Sequence, residues 1–156
     1  MVALLVLGGL ALFWGGLLVA AAVNPAYSHR RDYVSALAAH GAEHGWLGVM
    51  AIAAAGGAML PAGVLLRPFS RAAASAIVLA GIGFLVVSFM RLDCPNGAAR
   101  CGLGGRFAIS GSNEITHWTA ATLSSTLLIA GIALTGLVLL RIRRMPPGCS
   151  RSRPEP

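Results

Sequence analysis

The chain has 156 residues, 56% of them hydrophobic and 11% charged, with a mean hydropathy of +0.76. Soluble domains carry about a quarter charged residues, and disorder needs low hydrophobicity with high charge, so both classes are excluded. All 12 basic residues are Arg and the formal charge is +7; they sit in short segments between apolar runs, which orients a membrane protein and calls for no nucleic-acid partner.

Four apolar runs follow one another: 2–23, 45–66, 72–90 and 118–140, none holding a charged side chain. A membrane-spanning helix needs about 20 apolar residues, and a membrane strand would show alternating polarity that these runs lack. The expected fold class is therefore all-α, an integral membrane four-helix bundle with two extracytoplasmic loops. The first run has no basic segment before it and exceeds the usual apolar core of a signal peptide, so it reads as a helix of the bundle. Residues 1–140 form the transmembrane domain, and 141–156 an Arg- and Pro-rich tail expected to be disordered.

Orientation follows from the Arg distribution. Arg67, Arg71, Arg141, Arg143, Arg144, Arg151 and Arg153 fall on one side, against Arg30, Arg31, Arg91, Arg100 and Arg106 on the other. The first group marks the cytoplasm, which places both termini inside. The chain contains neither Lys nor Gln. With its abundant Ala and Gly, this reads as the GC-rich coding bias of a bacterium, so the expected location is a bacterial plasma membrane. Tyr27, Tyr33, Trp46 and Trp118 fall at the outer helix ends, where amphipathic rings favour the headgroup level.

Inside the helices, Ala11 and Gly15, Ala53 and Gly57, and Ala76 and Ala80 stand four apart, a spacing that lets helix backbones approach. Pro61 is expected to kink the second helix. Thr119, Thr122, Ser124, Ser125 and Thr126 read as hydroxyls bonded within their own helix or to a neighbour.

The outer loops hold most groups capable of chemistry. In the first, Tyr33, Val34, Leu37 and Ala38 recur at helical spacing opposite Arg30, Arg31, Asp32 and Ser35. A short amphipathic helix lying on the membrane surface is expected there. Arg30 and Arg31 either pair with Asp32 and lipid phosphates or help to form an anion pocket. In the second loop, Cys94 and Cys101 flank the turn formers Pro95, Asn96 and Gly97. Outside the membrane such a pair is expected to close a disulfide, worth about 2.5 kcal/mol for an eight-residue loop. Cys149, in the tail, is expected to be a free thiol.

Three enzyme-like patterns are weak. His40-Gly41-Ala42-Glu43-His44 has the spacing of an inverted zinc-protease motif, but Gly41 weakens the helix it needs. Glu114 and His117 have the spacing of one half of a di-iron site, without a second half. A quinone-coupled thiol oxidase would need a second cysteine pair or a C-x-x-C.

The segment Asn24-Pro25-Ala26-Tyr27-Ser28-His29-Arg30-Arg31-Asp32-Tyr33-Val34-Ser35-Ala36-Leu37, followed by Trp46, resembles the bacterial membrane family Domain of Unknown Function 998. So do Arg91-Leu92-Asp93-Cys94-Pro95, the later Cys101 and His117 at the start of a helix. That family is distantly similar to DRAM and Frag-type membrane proteins. Its members commonly carry further helices after the fourth, so the resemblance implies a shortened member. The resemblance implies a fold and a site location, and no reaction.

The expected function is non-enzymatic: binding or sensing a lipid headgroup or small anion, or stabilising a membrane complex. Its ligand-binding residues are expected to be His29, Arg30, Arg31, Asp32, Ser35, Asp93 and His117, with the Cys94–Cys101 disulfide holding the second loop. No cofactor, metal or catalytic residue is called for, and the expected partners are membrane lipids and other membrane proteins. The rival is a thiol-redox or metal-assisted membrane enzyme using Cys94, Cys101 and the same polar cluster.

Overall fold

The structure, a computed structural model, describes residues 2–30, 32–93 and 112–144. Helix α1 spans Val2–Ala22, α2 Gly45–Leu66, α3 Arg71–Phe89 and α4 Ser112–Arg144, with a short 3₁₀ helix at Val34–Ala38 between the first two. No strand occurs among the described residues. All four helices are long and apolar enough to cross a membrane.

The first three helices match the apolar runs to within a residue at either end, and α2 matches at both. Helix α4 begins six residues before its run and ends four after it. Glu114 in its first turn complements the positive end of the helix dipole, and the trailing Arg residues complement the negative end. Its 33 residues reach about 50 Å, well beyond a hydrocarbon core of about 30 Å, so both polar ends project past the apolar span.

Helices adjacent in sequence pack together: α1 on α2, α2 on α3, and α3 on α4, while α1 and α4 share no substantial packing. The chain is therefore a row of antiparallel helices with α2 and α3 at its centre. Residue pairing shows the direction: Gly9 faces Ala58 and Gly16 faces Ala51, Gly56 faces Gly81, and Gly83 faces Ser124 while Gly131 faces Ile77. Leucines and isoleucines along the outer faces of α1 and α4, such as Leu4, Leu12, Ile129 and Leu139, are exposed. Hydrocarbon would cover them without penalty.

The small-residue stripes differ from expectation by one helical position. Gly15 and Gly57 have open space where a Cβ would go, and the close approaches fall on Gly16 and Gly56 instead. One residue turns a helix face by about 100°, enough to move a stripe from the interface to the lipid. At the α2–α3 crossing the backbones touch: a Cβ on Gly56 would lie 2.7 Å from the Gly81 carbonyl oxygen, and one on Gly81 2.8 Å from that of Gly56. Ala76 and Ala80 are buried, as their spacing implies. Two of the five hydroxyls singled out in α4 bond back within the helix, Ser124 to the Ala120 carbonyl and Thr126 to that of Thr122 at 2.9 Å. Helix α2 runs on through Pro61.

Candidate ligand-binding site at the loop end

Helix α1 leaves its last turn through Asn24, a buried residue whose side-chain amide donates to the Ala20 carbonyl at 2.7 Å. The chain then turns sharply. The Ser28 N–H donates to Asp32 Oδ2 at 2.7 Å, and the Asp32 N–H donates back to the Ser28 carbonyl at 2.9 Å. This closed loop presents His29 and Arg30, both exposed, at its tip. Tyr27 packs beneath, against the cluster of Leu17, Ala20, Leu37 and Ala51, and meets the His29 ring edge-on at 5.0 Å. Burial, with the Asp32 carboxylate adding to it, holds the Tyr27 phenol above its ordinary value of 10.0.

The next segment does not lie on the surface as the amphipathic reading expected. Residues Val34–Ala38 coil into a 3₁₀ helix whose Ala36, Leu37 and Ala38 are buried, whereas Tyr33 and Val34 are exposed. The reason lies in α2. A Cβ on Gly48 would stand 2.5 Å from the Leu37 carbonyl carbon and 2.7 Å from the Ala38 nitrogen. The glycine therefore lets the loop backbone sit directly on the helix. The loop enters the protein as a plug, with Ala38 touching the cluster formed by Ile52 and Val87.

Two of the three consecutive residues after α3 hold this plug, and the first ties the same segment to α4. The Met90 carbonyl receives His117 Nδ1 at 2.6 Å, and the Leu92 carbonyl receives the His40 N–H at 2.8 Å. Between them, Arg91 donates from Nε to the Ala38 carbonyl at 2.6 Å and from an η nitrogen to the Ala39 carbonyl at 2.9 Å. A planar guanidinium fits two adjacent carbonyls as a fork, and its charge strengthens both bonds. Gly45 leaves the space the guanidinium occupies, since a Cβ there would lie 2.8 Å from it. The segment between α1 and α2 and the residues that follow α3 thus meet in space. Tyr33 and Trp118 add a ring contact at 5.1 Å, tying the first loop to α4.

His117 is 1% exposed. A carbonyl only accepts, so Nδ1 carries the proton. Its other ring nitrogen, Nε2, is buried with no hydrogen-bond partner among the described residues. An unsatisfied buried polar atom costs about 1–3 kcal/mol.

The expected ligand residues thus fall in two places. His29, Arg30 and Asp32 share the first turn, with Asp32 committed to its backbone; Ser35 is half-buried in the plug. His117 lies beneath, against Met90 and Trp118. Asp93 is exposed at the end of the described segment. Arg31, Cys94, Cys101 and Cys149 lie outside the described residues, and with them the expected disulfide and most of the tail. Arg91 is the residue that sequence reasoning passed over: it counted as one charge among five. Its signal was a lone Arg directly after an apolar run. The protease-like motif lies on turns rather than a helix, with Gly41 at φ 82° and His44 at φ 51°.

These features define a multi-pass α-helical membrane protein with a structured cap at one end. The chain matches the sequence profile of the family described as Protein of unknown function (DUF998) over residues 6–152, and so belongs to that family. The match extends beyond the loop motifs to α1 and into the tail. The chain has no significant match among curated proteins or solved structures.

Proposed function

We propose that this is a non-enzymatic membrane protein of the bacterial plasma membrane, with both termini cytoplasmic, which binds a lipid headgroup or small anion at its outer cap. The observation that carries this reading is the state of Arg30. It is exposed at the tip of a braced turn, and among the described residues it has no hydrogen bond or ion pair. Asp32, the acid closest in sequence, turns its carboxylate to the Ser28 N–H instead. The braced turn fixes the backbone beneath Arg30, so that an anionic oxygen bound there needs only the side chains of Arg30 and His29 to be ordered. The unpartnered Nε2 of His117 gives secondary support, as a buried polar atom fit to meet a polar group beneath the cap. Arg31 and a Cys94–Cys101 disulfide complete the reading.

The test is native mass spectrometry of the detergent-solubilised chain with added phosphatidylglycerol or inorganic phosphate. Binding that falls about fivefold in Arg30→Gln, as expected for one Arg near an anionic surface, supports the reading. Equal binding with and without Arg30→Gln and Arg31→Gln, compared in a background where Arg67 and Arg71 are Gln so that the turn at the other end adds no signal, would overturn it.

A further inference from the structure

At the opposite end, α2 and α3 are joined by the turn Arg67–Ser70. Beside it lies a cavity of about 470 Å³, lined mainly by carbon. Its floor is formed by Gly63 and Ala74, both buried, and its walls by Val64, Val78 and Leu79. Val64 and Leu79 are exposed, so the groove opens outward toward the surroundings of the bundle rather than into its core. Arg67 and Arg71 stand over the turn end of the same groove, and both are exposed.

Among the described residues the charge there has no counterpart. Neither guanidinium has a hydrogen bond or ion pair among the described residues, and the first turn of α3 contains no acid. Asp32, Glu43, Asp93 and Glu114, the acids among the described residues, all belong to the loop end or to the start of α4. The positive end of α3 lies at Arg71 and the negative end of α2 at Arg67, so the dipoles offset each other and the charge of the turn is that of the two guanidinium groups. Ser70 accepts from the Ala73 N–H at 3.2 Å, so the cap satisfies one amide of the turn without bringing negative charge.

We infer that this groove binds an anionic phospholipid, its phosphate between Arg67 and Arg71 and an acyl chain along Val64, Val78 and Leu79. Each half of the site selects the ligand. Two cations with no counterion among the described residues call for a phosphate, and an apolar trough running away from them down the helices calls for a chain attached to it. A free phosphate would leave the trough unused. A zwitterionic lipid would bring its own cation to a site that already holds two. Pockets of roughly 300–1,000 Å³ are the usual size for small ligands, and basic pockets between membrane helices accept anionic headgroups by this chemistry.

The test uses the full chain in detergent with phosphatidylglycerol, phosphatidylcholine and inorganic phosphate as probes, read by native mass spectrometry. Phosphatidylglycerol is expected to be retained over phosphatidylcholine. Arg67→Gln or Arg71→Gln should lower retention about fivefold and the double variant roughly thirtyfold, since each Arg at an anionic surface is worth about that factor. Ser75→Phe, which fills the exposed groove and keeps both Arg, should lower it as well. Arg141→Gln with Arg143→Gln, which removes charge elsewhere on the same side, should leave retention within twofold, and Arg30→Gln should not affect this site's share. The inference is overturned if the tail variant loses as much as the Arg67/Arg71 variant, if inorganic phosphate displaces the lipid, or if the two lipids are retained equally.

Discussion

Arg91 connects segments that are 52 and 53 residues apart in sequence, through two charge-assisted bonds to the carbonyls of Ala39 and Ala38. Replacing it by Met keeps the apolar stem, leaves the Ala38 carbonyl without a donor and leaves the Ala39 carbonyl with the Ala42 N–H alone. A loss of about 2–3 kcal/mol is expected, seen as a lower thermal midpoint in detergent. Arg91→Lys should recover only part of it, because an ammonium cannot span both carbonyls as a fork. Tyr27 carries the pH dependence. Burial and Asp32 raise its phenol above 10.0, so the folded chain keeps a proton that the unfolded chain has begun to release. That contribution to stability is intact below pH 10 and is lost as pH rises through the raised value. Tyr27→Phe should therefore leave the midpoint at neutral pH nearly unchanged and reduce its fall above pH 10.

At the scale of elements, hydropathy alone located the helices, because a lipid-spanning segment must be apolar along its full length. What hydropathy does not encode is phase. The spacing of Ala53 and Gly57 looked like a packing stripe, yet Gly57 points into open space and Gly56 meets Gly81. When every position is apolar, a helix has no polar face to mark which side turns outward. The ends of α4 were hidden for a related reason: Ser112-Asn113-Glu114 is a helix start in polar residues, invisible to an apolar window though legible as a capping pattern. The plug was illegible because its buried face depends on Gly48, which lies on another element. Gly48→Ala should expel the 3₁₀ helix and lower the thermal midpoint, by about 1–3 kcal/mol as for overpacking. Gly57→Ala, one helix face away, should leave the midpoint unchanged or slightly raised. Equal losses in both would refute the packing described here.

For the whole molecule, the row of helices places the first loop and the start of α4 at one end and the α2–α3 turn at the other. The candidate site was legible in part. The cationic tip at His29 and Arg30 was visible in sequence as a polar run between apolar ones. That Asp32 would close its own turn, and that His117 would lie beneath the cap, depends on side-chain contacts that no spacing reports. The outer binding site and the proposed disulfide both rest on the loop end facing outward from the cell. The most direct measurement is labelling of the native cysteines in intact cells with a membrane-impermeant maleimide, before and after an impermeant reductant. The account expects Cys94 and Cys101 to be labelled only after reduction, with Cys149 protected until lysis. Labelling of Cys149 alone in intact cells would invert the molecule and contradict the account.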